Sequence, residues 1–218
     1  MKVLDIGCGK DWEKWISEEA KYVKKSDATF YVDCVDKGYH NSIVRGHVGS
    51  GVSLITEDIF KWLEERTRRD YNLIYAERVF EHIPYDKLSY LIYLLYECSV
   101  EGAELIITVP DYAQIGKSIA SFSEADRSFD SAKDFNKWLI DIHTETFNEP
   151  SDPHRSIWTP ELGNYWITLE GYWRVKSWRK ISRDNRDWYI EFRAVSTRKP
   201  VDINDIIAPV EGDFNEPE

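Results

Sequence analysis

Lys2-Val3-Leu4-Asp5-Ile6-Gly7-Cys8-Gly9 is the stretch on which the reading of this chain turns. The segment 2–6 is a short, mostly apolar run, as in a strand buried in a sheet, and it runs straight into Gly-Cys-Gly. Two glycines so placed allow a tight turn and a close approach of backbone to a ligand. Asp11 then caps a helix that carries Trp12, Trp15, Ile16 and Val23 among charged residues. A strand, a glycine bend and a helix N-terminus together form a binding corner. A dinucleotide fingerprint would place its third glycine where this chain has Trp12. An indole there obstructs a pyrophosphate, so the corner predicts a nucleoside ligand without phosphates rather than NAD or FAD.

Working outward, the pattern repeats. Residues 29–36 (TFYVDCVD) form a second strand, 52–55 a third, 71–76 (YNLIYA) a fourth and 103–109 (AELIITV), stopped by Pro110, a fifth. Helices are predicted at 60–68 and, begun by Asp86, at 87–99, with Leu88, Leu91, Ile92, Leu94 and Leu95 facing inward and Gly102 following its end. The glycine-containing stretch 39–51 reads as a loop. This alternation predicts βαβ units. Beyond Pro110 the rhythm changes: 112–158 reads as a substrate-side insertion with helical pieces, notably 132–142, and a turn-rich 148–153. Thr159-Pro160 starts a helix that Gly171 ends, and 172–178 and 188–196 alternate as a closing antiparallel hairpin. The expected fold class is therefore α/β: a Rossmann-like, seven-stranded, mostly parallel sheet with flanking helices, a C-terminal antiparallel hairpin and a helical insertion after strand five.

The chain has 218 residues, which suits one domain over 1–200 followed by an acidic, partly disordered tail, 201–218. No window supports a membrane span and the N-terminus does not read as a signal peptide, so a cytoplasmic location is expected. Three cysteines without CxxC spacing (Cys8, Cys34, Cys98) read as buried thiols in a reducing compartment and predict no metal site. A net charge of −11 disfavours nucleic acid as a partner. The basic clusters at 66–69 and 174–186 read as solvated faces.

Acids stand where a nucleoside would need them. A carboxylate at the end of strand two can accept both ribose hydroxyls, and Asp33 and Asp36 are both candidates; either can also cap the turn before Gly38. After strand three, Asp58 in Glu57-Asp58 can accept from an adenine amino group with Ile59 beside the ring, or can cap the next helix.

Read together, LDIGCG, the strand-two acid, Glu57-Asp58 and YNLIYAERVFEHIP (71–84) resemble the class I S-adenosylmethionine-dependent methyltransferases, in particular small-molecule and glycan-type members with an EHIP pattern. The resemblance covers 1–112 and extends more weakly over 154–171. It implies S-adenosyl-L-methionine as cofactor and S-adenosyl-L-homocysteine as product. It further implies that Asp5, Gly7, Cys8 and Gly9 wrap the methionine part, that Asp36 or Asp33 binds ribose, that Asp58 and Ile59 meet adenine, and that Ala76 and Glu77 line the cofactor near its sulfonium. Glu81 and His82 match the Glu-His of the pattern, at the mouth of the site. Two departures are Trp12 and a chain that opens on strand one, from which the N-terminal helix that often closes the site is expected to be absent.

Methyl transfer needs orientation and, for a hydroxyl or amine acceptor, sometimes a base. His82 and His154 are the candidates, with Asp152 placed to orient His154 and His143 a weaker third. A structural histidine at a helix end and a surface turn residue are the respective alternatives. Tyr112, Asp152 and Trp158 are candidate substrate contacts. Nucleic-acid signatures are missing: Ala76-Glu77-Arg78-Val79 stands where Asn/Asp-Pro-Pro-Tyr/Phe would, and no cysteine follows a proline. The expected activity is methylation of a small-molecule acceptor, a sugar or other hydroxylated metabolite. A protein or peptide methyltransferase and a non-catalytic cofactor-binding subunit are the alternatives. Oligomeric state and acceptor atom stay open.

Overall fold

A computed structural model of the chain describes residues 1–7, 31–36, 46–47, 52–66, 68–117, 154–183 and 187–197. In chain order these hold β1 (Lys2–Ile6), β2 (Tyr31–Val35), β3 (Gly46–His47), β4 (Val52–Ile55), α1 (Ile59–Glu64), β5 (Tyr71–Glu77), a 3-10 turn (Phe80–His82), α2 (Tyr85–Glu97), β6 (Ser99–Pro110), α3 (Pro160–Thr168), β7 (Trp173–Arg183) and β8 (Asp187–Ser196). The strands form one sheet in the order β3-β4-β2-β1-β5-β6-β8-β7. Strands β4, β2, β1, β5 and β6 run parallel, and β8 and β7 close the far edge antiparallel. Among the described residues no helix is long and apolar enough to cross a membrane.

The sheet has eight strands among the described residues, not seven. The additional one, β3, lies in the stretch expected to be loop and pairs antiparallel with β4 through Gly46↔Leu54 and His47↔Ser53. An edge strand offers unpaired backbone groups to any neighbour, whatever its side-chain pattern. A second difference is at β6, which begins at Ser99 opposite Tyr71 and carries Gly102 at φ +72 within it. Cys98, not Gly102, therefore sits at the end of α2. The predicted helix after Asp11 and most of the insertion lie outside the described residues; at 112–117 the chain is helical.

Side chains of the parallel strands alternate between two faces. One face presents Leu4, Ile6, Val35, Ile74, Ala76, Leu105 and Ile107 to Leu63 of α1, to Leu88, Leu91, Ile92 and Leu95 of α2, and to Ile167 of α3 in one core. The helix starts follow local chemistry. Thr159 Oγ1 accepts from the Leu162 amide at 3.2 Å, with Pro160 in the first turn, as the sequence predicts. Near the start of β5, the hydroxyl of buried Tyr71 donates to Asp33 Oδ2 at 2.5 Å, while Lys2 and Arg66 lie 3.3 and 3.6 Å from the same oxygen. Arg66 also pairs with Asp70 and stacks over Trp62 and Tyr71, and Arg69 pairs with Glu97. Arg66 is thus a half-buried ion-pair partner, while Arg68 and Arg69 stay on an exposed face, with Arg69 paired to Glu97.

Candidate functional site

The C-terminal ends of the parallel strands share one edge of the sheet. From β1 the order runs one way to β2 and β4 and the other way to β5 and β6, so the reversal lies between β1 and β5. Ligands of open α/β sheets bind in the crevice outside the strand ends at this point. Because Ile6 registers with both Val35 and Ala76, the chain leaving the three strands brings Gly7, Asp36 and Glu77 side by side.

Gly7 and Asp36 are held by backbone bonding, and Glu77 by a side-chain bond. The Gly7 amide donates to Val35 O at 2.8 Å, and the Asp36 amide donates to Ile55 O at 3.0 Å. Gly7 has φ +71, and a Cβ there would overlap Val79 Cγ2. The glycine is required by a neighbouring side chain as well as by its own turn. Glu77 accepts from the Tyr75 hydroxyl at 2.9 Å, and Ala76 is fully buried beside it. Arg78 adopts φ 55 with its amide bonded to Thr108 O at 2.8 Å. A non-glycine residue in this region is uncommon, and such conformations cluster at functional sites. Asp5 is 1% exposed on β1, and the Cys34 thiol donates to its Oδ2 at 3.9 Å.

The remaining cofactor candidates separate. Asp33 sits in the middle of β2 within the Tyr71, Lys2 and Arg66 cluster, away from the strand ends. Burial and then Asp33 itself push the Tyr71 hydroxyl far up, so it stays a donor. Asp58 is the N-cap of α1, accepting from the amides of Phe60 and Lys61 at 3.0 and 3.4 Å, and Ile59 opens the helix. Cys8, Gly9, His143 and Asp152 lie outside the described residues; Cys34 and Cys98 are buried thiols, as expected.

A second group stands beyond the ends of β5 and β6. The carbonyl of Glu81, in the 3-10 turn, accepts from the amides of Arg155 and Ser156 at 2.6 and 3.0 Å. Ser156 Oγ donates to Phe80 O at 2.9 Å and accepts from Trp158 Nε1 at 3.0 Å, while the Tyr112 amide donates to Trp158 O at 3.0 Å. These bonds stitch 154–158 onto the turn and onto the end of β6. The rings of His82 and His154 consequently meet edge to face with centroids 4.9 Å apart, and Tyr112 Oη lies 2.7 Å from His154 Nδ1. Glu81 is fully buried beside them rather than open at a mouth.

Trp158 requires a correction. It is fully buried, packed edge-on to Phe80 at 5.8 Å and against Phe192 at 6.1 Å. Among the described residues it belongs to the core, because the stitching bonds turn its indole inward.

With the strand order and this crevice in place, comparison with known proteins is informative. No family model matches the chain, and no curated protein matches its sequence. Solved structures do match. A methyltransferase described as S-adenosylmethionine-dependent from Methanosarcina mazei superposes with a TM-score of 0.54 at 13% identity, covering 91% of this chain and 93% of that one. One from Archaeoglobus fulgidus gives 0.54 at 14% identity, over 89% and 86%. The 1,6-didemethyltoxoflavin N1-methyltransferase of Burkholderia thailandensis, solved with 1,6-didemethyltoxoflavin and S-adenosylhomocysteine, gives 0.54 at 12%, over 90% and 71%.

The fold is that of S-adenosylmethionine-dependent methyltransferases.

Within this methyltransferase fold, sequence reasoning missed three features of the site. Val79 packs on Gly7, Arg78 is strained, and Ser156 ties the two halves of the histidine pair together. The first two had no local signal. The third has one only once β5 and β6 are known to be neighbours.

Proposed function

We propose that the chain is a methyltransferase that binds S-adenosylmethionine at the strand-end crevice and methylates a small-molecule acceptor of the hydroxylated, sugar-like class. The observation that carries the reading is the convergence of Gly7, Asp36 and Glu77 at the reversal of strand order. The donor set fits the cofactor: its ribose hydroxyls and ammonium are donors, and Asp36 and Glu77 are acceptors. When bound, S-adenosylmethionine supplies an electrophilic methyl group on a sulfonium.

The chain's own residues divide the remaining work. Gly7, with Cys8 and Gly9 after it and Asp5 before it, wraps the methionine part. Asp36 rather than Asp33 takes the ribose hydroxyls, since Asp33 is engaged in its ion-pair cluster. Asp58, the cap of α1, meets adenine, flanked by Ile59. Ala76 and Glu77 line the sulfonium side. His82, His154, Tyr112 and Asp152 serve the acceptor, the histidines carrying its proton. Holding donor and acceptor in line can supply about 7–11 kcal/mol of the barrier, against about 10²–10⁴-fold from a base. Positioning is therefore the larger contribution.

Calorimetry with S-adenosylmethionine and S-adenosylhomocysteine tests the cofactor, with sub-millimolar binding of both expected. Transfer of radiolabelled methyl to a panel of hydroxylated and amine acceptors tests the substrate class. If neither nucleoside binds at sub-millimolar concentration, the reading fails.

A further inference from the structure

We propose that Glu81, His82 and His154 bind one divalent transition-metal ion of the zinc class. One carboxylate oxygen and two imidazole nitrogens lie within 4.8 Å of one another. Ligand atoms on a tetrahedral zinc stand about 3.4 Å apart, given metal–ligand distances of about 2.0–2.1 Å. Loading therefore asks each side chain to close by about an ångström, within reach of a small rotation.

The placement is built into the backbone. Glu81 and His82 are adjacent on one 3-10 turn, and the two amide bonds from Arg155 and Ser156 to the Glu81 carbonyl deliver His154 to them. Glu81 is fully buried on that turn, so its carboxylate faces the two imidazoles rather than solvent. The Tyr112 hydroxyl engages His154 Nδ1 at 2.7 Å, so Nε2 is the ring nitrogen that would ligate. Such an outer hydrogen bond fixes the tautomer and orientation of a metal-binding histidine. Two nitrogens and one oxygen suit zinc, cobalt, manganese or iron. Calcium and magnesium instead prefer shells of six or more oxygens. Three protein ligands leave a fourth position, the arrangement of catalytic rather than structural zinc.

The role of that fourth position rests on the methyltransferase reading. It would hold the acceptor hydroxyl oxygen, whose proton leaves to solvent under the influence of the ion, as zinc lowers the pKa of bound water to near neutrality. The oxygen lone pair then forms the new C–O bond while the S–C bonding pair returns to sulfur. His82 and His154 act as ligands in that case, and the ion does the work of a base.

The test uses the full chain stripped by chelation and titrated calorimetrically with Zn²⁺. One ion per chain should bind, and Co²⁺ should give the visible absorption of a tetrahedral site. Glu81→Gln and His82→Gln should each weaken Zn²⁺ by more than about tenfold, and Tyr112→Phe by about tenfold, as for other outer-shell losses. Thermal unfolding checks that each variant folds; His82, only partly buried, provides the variant least dependent on the core. Equal Zn²⁺ affinity in wild type and in folded His82→Gln and Glu81→Gln overturns the site. S-adenosylhomocysteine binding without Zn²⁺ binding overturns the metal alone. Zn²⁺ binding without the nucleoside supports the site and overturns its methyl-transfer role.

Discussion

Gly7, at the end of β1, is in contact with Val79, in the turn after β5, so that a methyl group on Gly7 would overlap Val79 Cγ2. The bend that leads the chain past the strand ends is thus shaped by two segments more than seventy residues apart. Replacing Gly7 by alanine combines this overlap with a left-handed φ of +71.

The left-handed conformation costs about 1–2 kcal/mol for a non-glycine residue. Overpacking a tight site costs about 1–3 kcal/mol more. Gly7→Ala should therefore destabilise the protein by the sum of the two, read from the urea midpoint, and Gly7→Ala/Val79→Ala should recover the overlap part only. Strict additivity of the two substitutions would refute the steric account.

The two strand-two acids should part experimentally. Asp36→Asn removes charge-assisted hydrogen bonds worth about 1.5–3 kcal/mol, so S-adenosylhomocysteine affinity should fall by about tenfold to a hundredfold. Asp33→Asn should leave that affinity within about twofold while lowering stability, because Tyr71, Lys2 and Arg66 lose the negative charge they share. The opposite pattern in paired calorimetry and denaturation experiments would reassign the ribose acid to Asp33.

Trp158 is expected to behave as core. Trp158→Ala should destabilise by about 3–5 kcal/mol. Trp158→Phe, which keeps a ring but loses the bond from Nε1 to Ser156, should cost about 1–2 kcal/mol. A raised KM for the acceptor with unchanged stability would instead return Trp158 to the substrate side.

Acid should weaken the corner around Asp70. Burial raises its carboxyl, but the hydrogen bonds and charges of Arg66 and Lys2 outweigh this and hold it below its ordinary 3.8. A depressed acid stabilises the fold above its unfolded value, and that contribution is lost as pH falls through the lower folded value. Stability measured by denaturation from pH 6 downward should therefore drop below about pH 4. Asp70→Asn should flatten that part of the profile, and an unchanged acid limb in the variant would place the titration elsewhere.

Local chemistry carries far in this chain. Lys2–Ile6 and Val52–Ile55 are strands with the bounds their apolar runs indicate, and Thr159-Pro160 starts α3 with the threonine as cap. Periodicity, caps and glycine bends act over a few residues and read directly. What tertiary structure decided involves partners distant in sequence. Asp33 meets Tyr71 because β2 and β5 flank β1, and an edge strand forms at Gly46–His47 because β4 offers its backbone. Trp158 turns into the core, and His154 reaches Glu81 and His82, because Arg155 and Ser156 bond across the adjoining ends of β5 and β6. One-dimensional spacing cannot encode these meetings, since the strand order that creates them is chosen by the packing of the whole sheet.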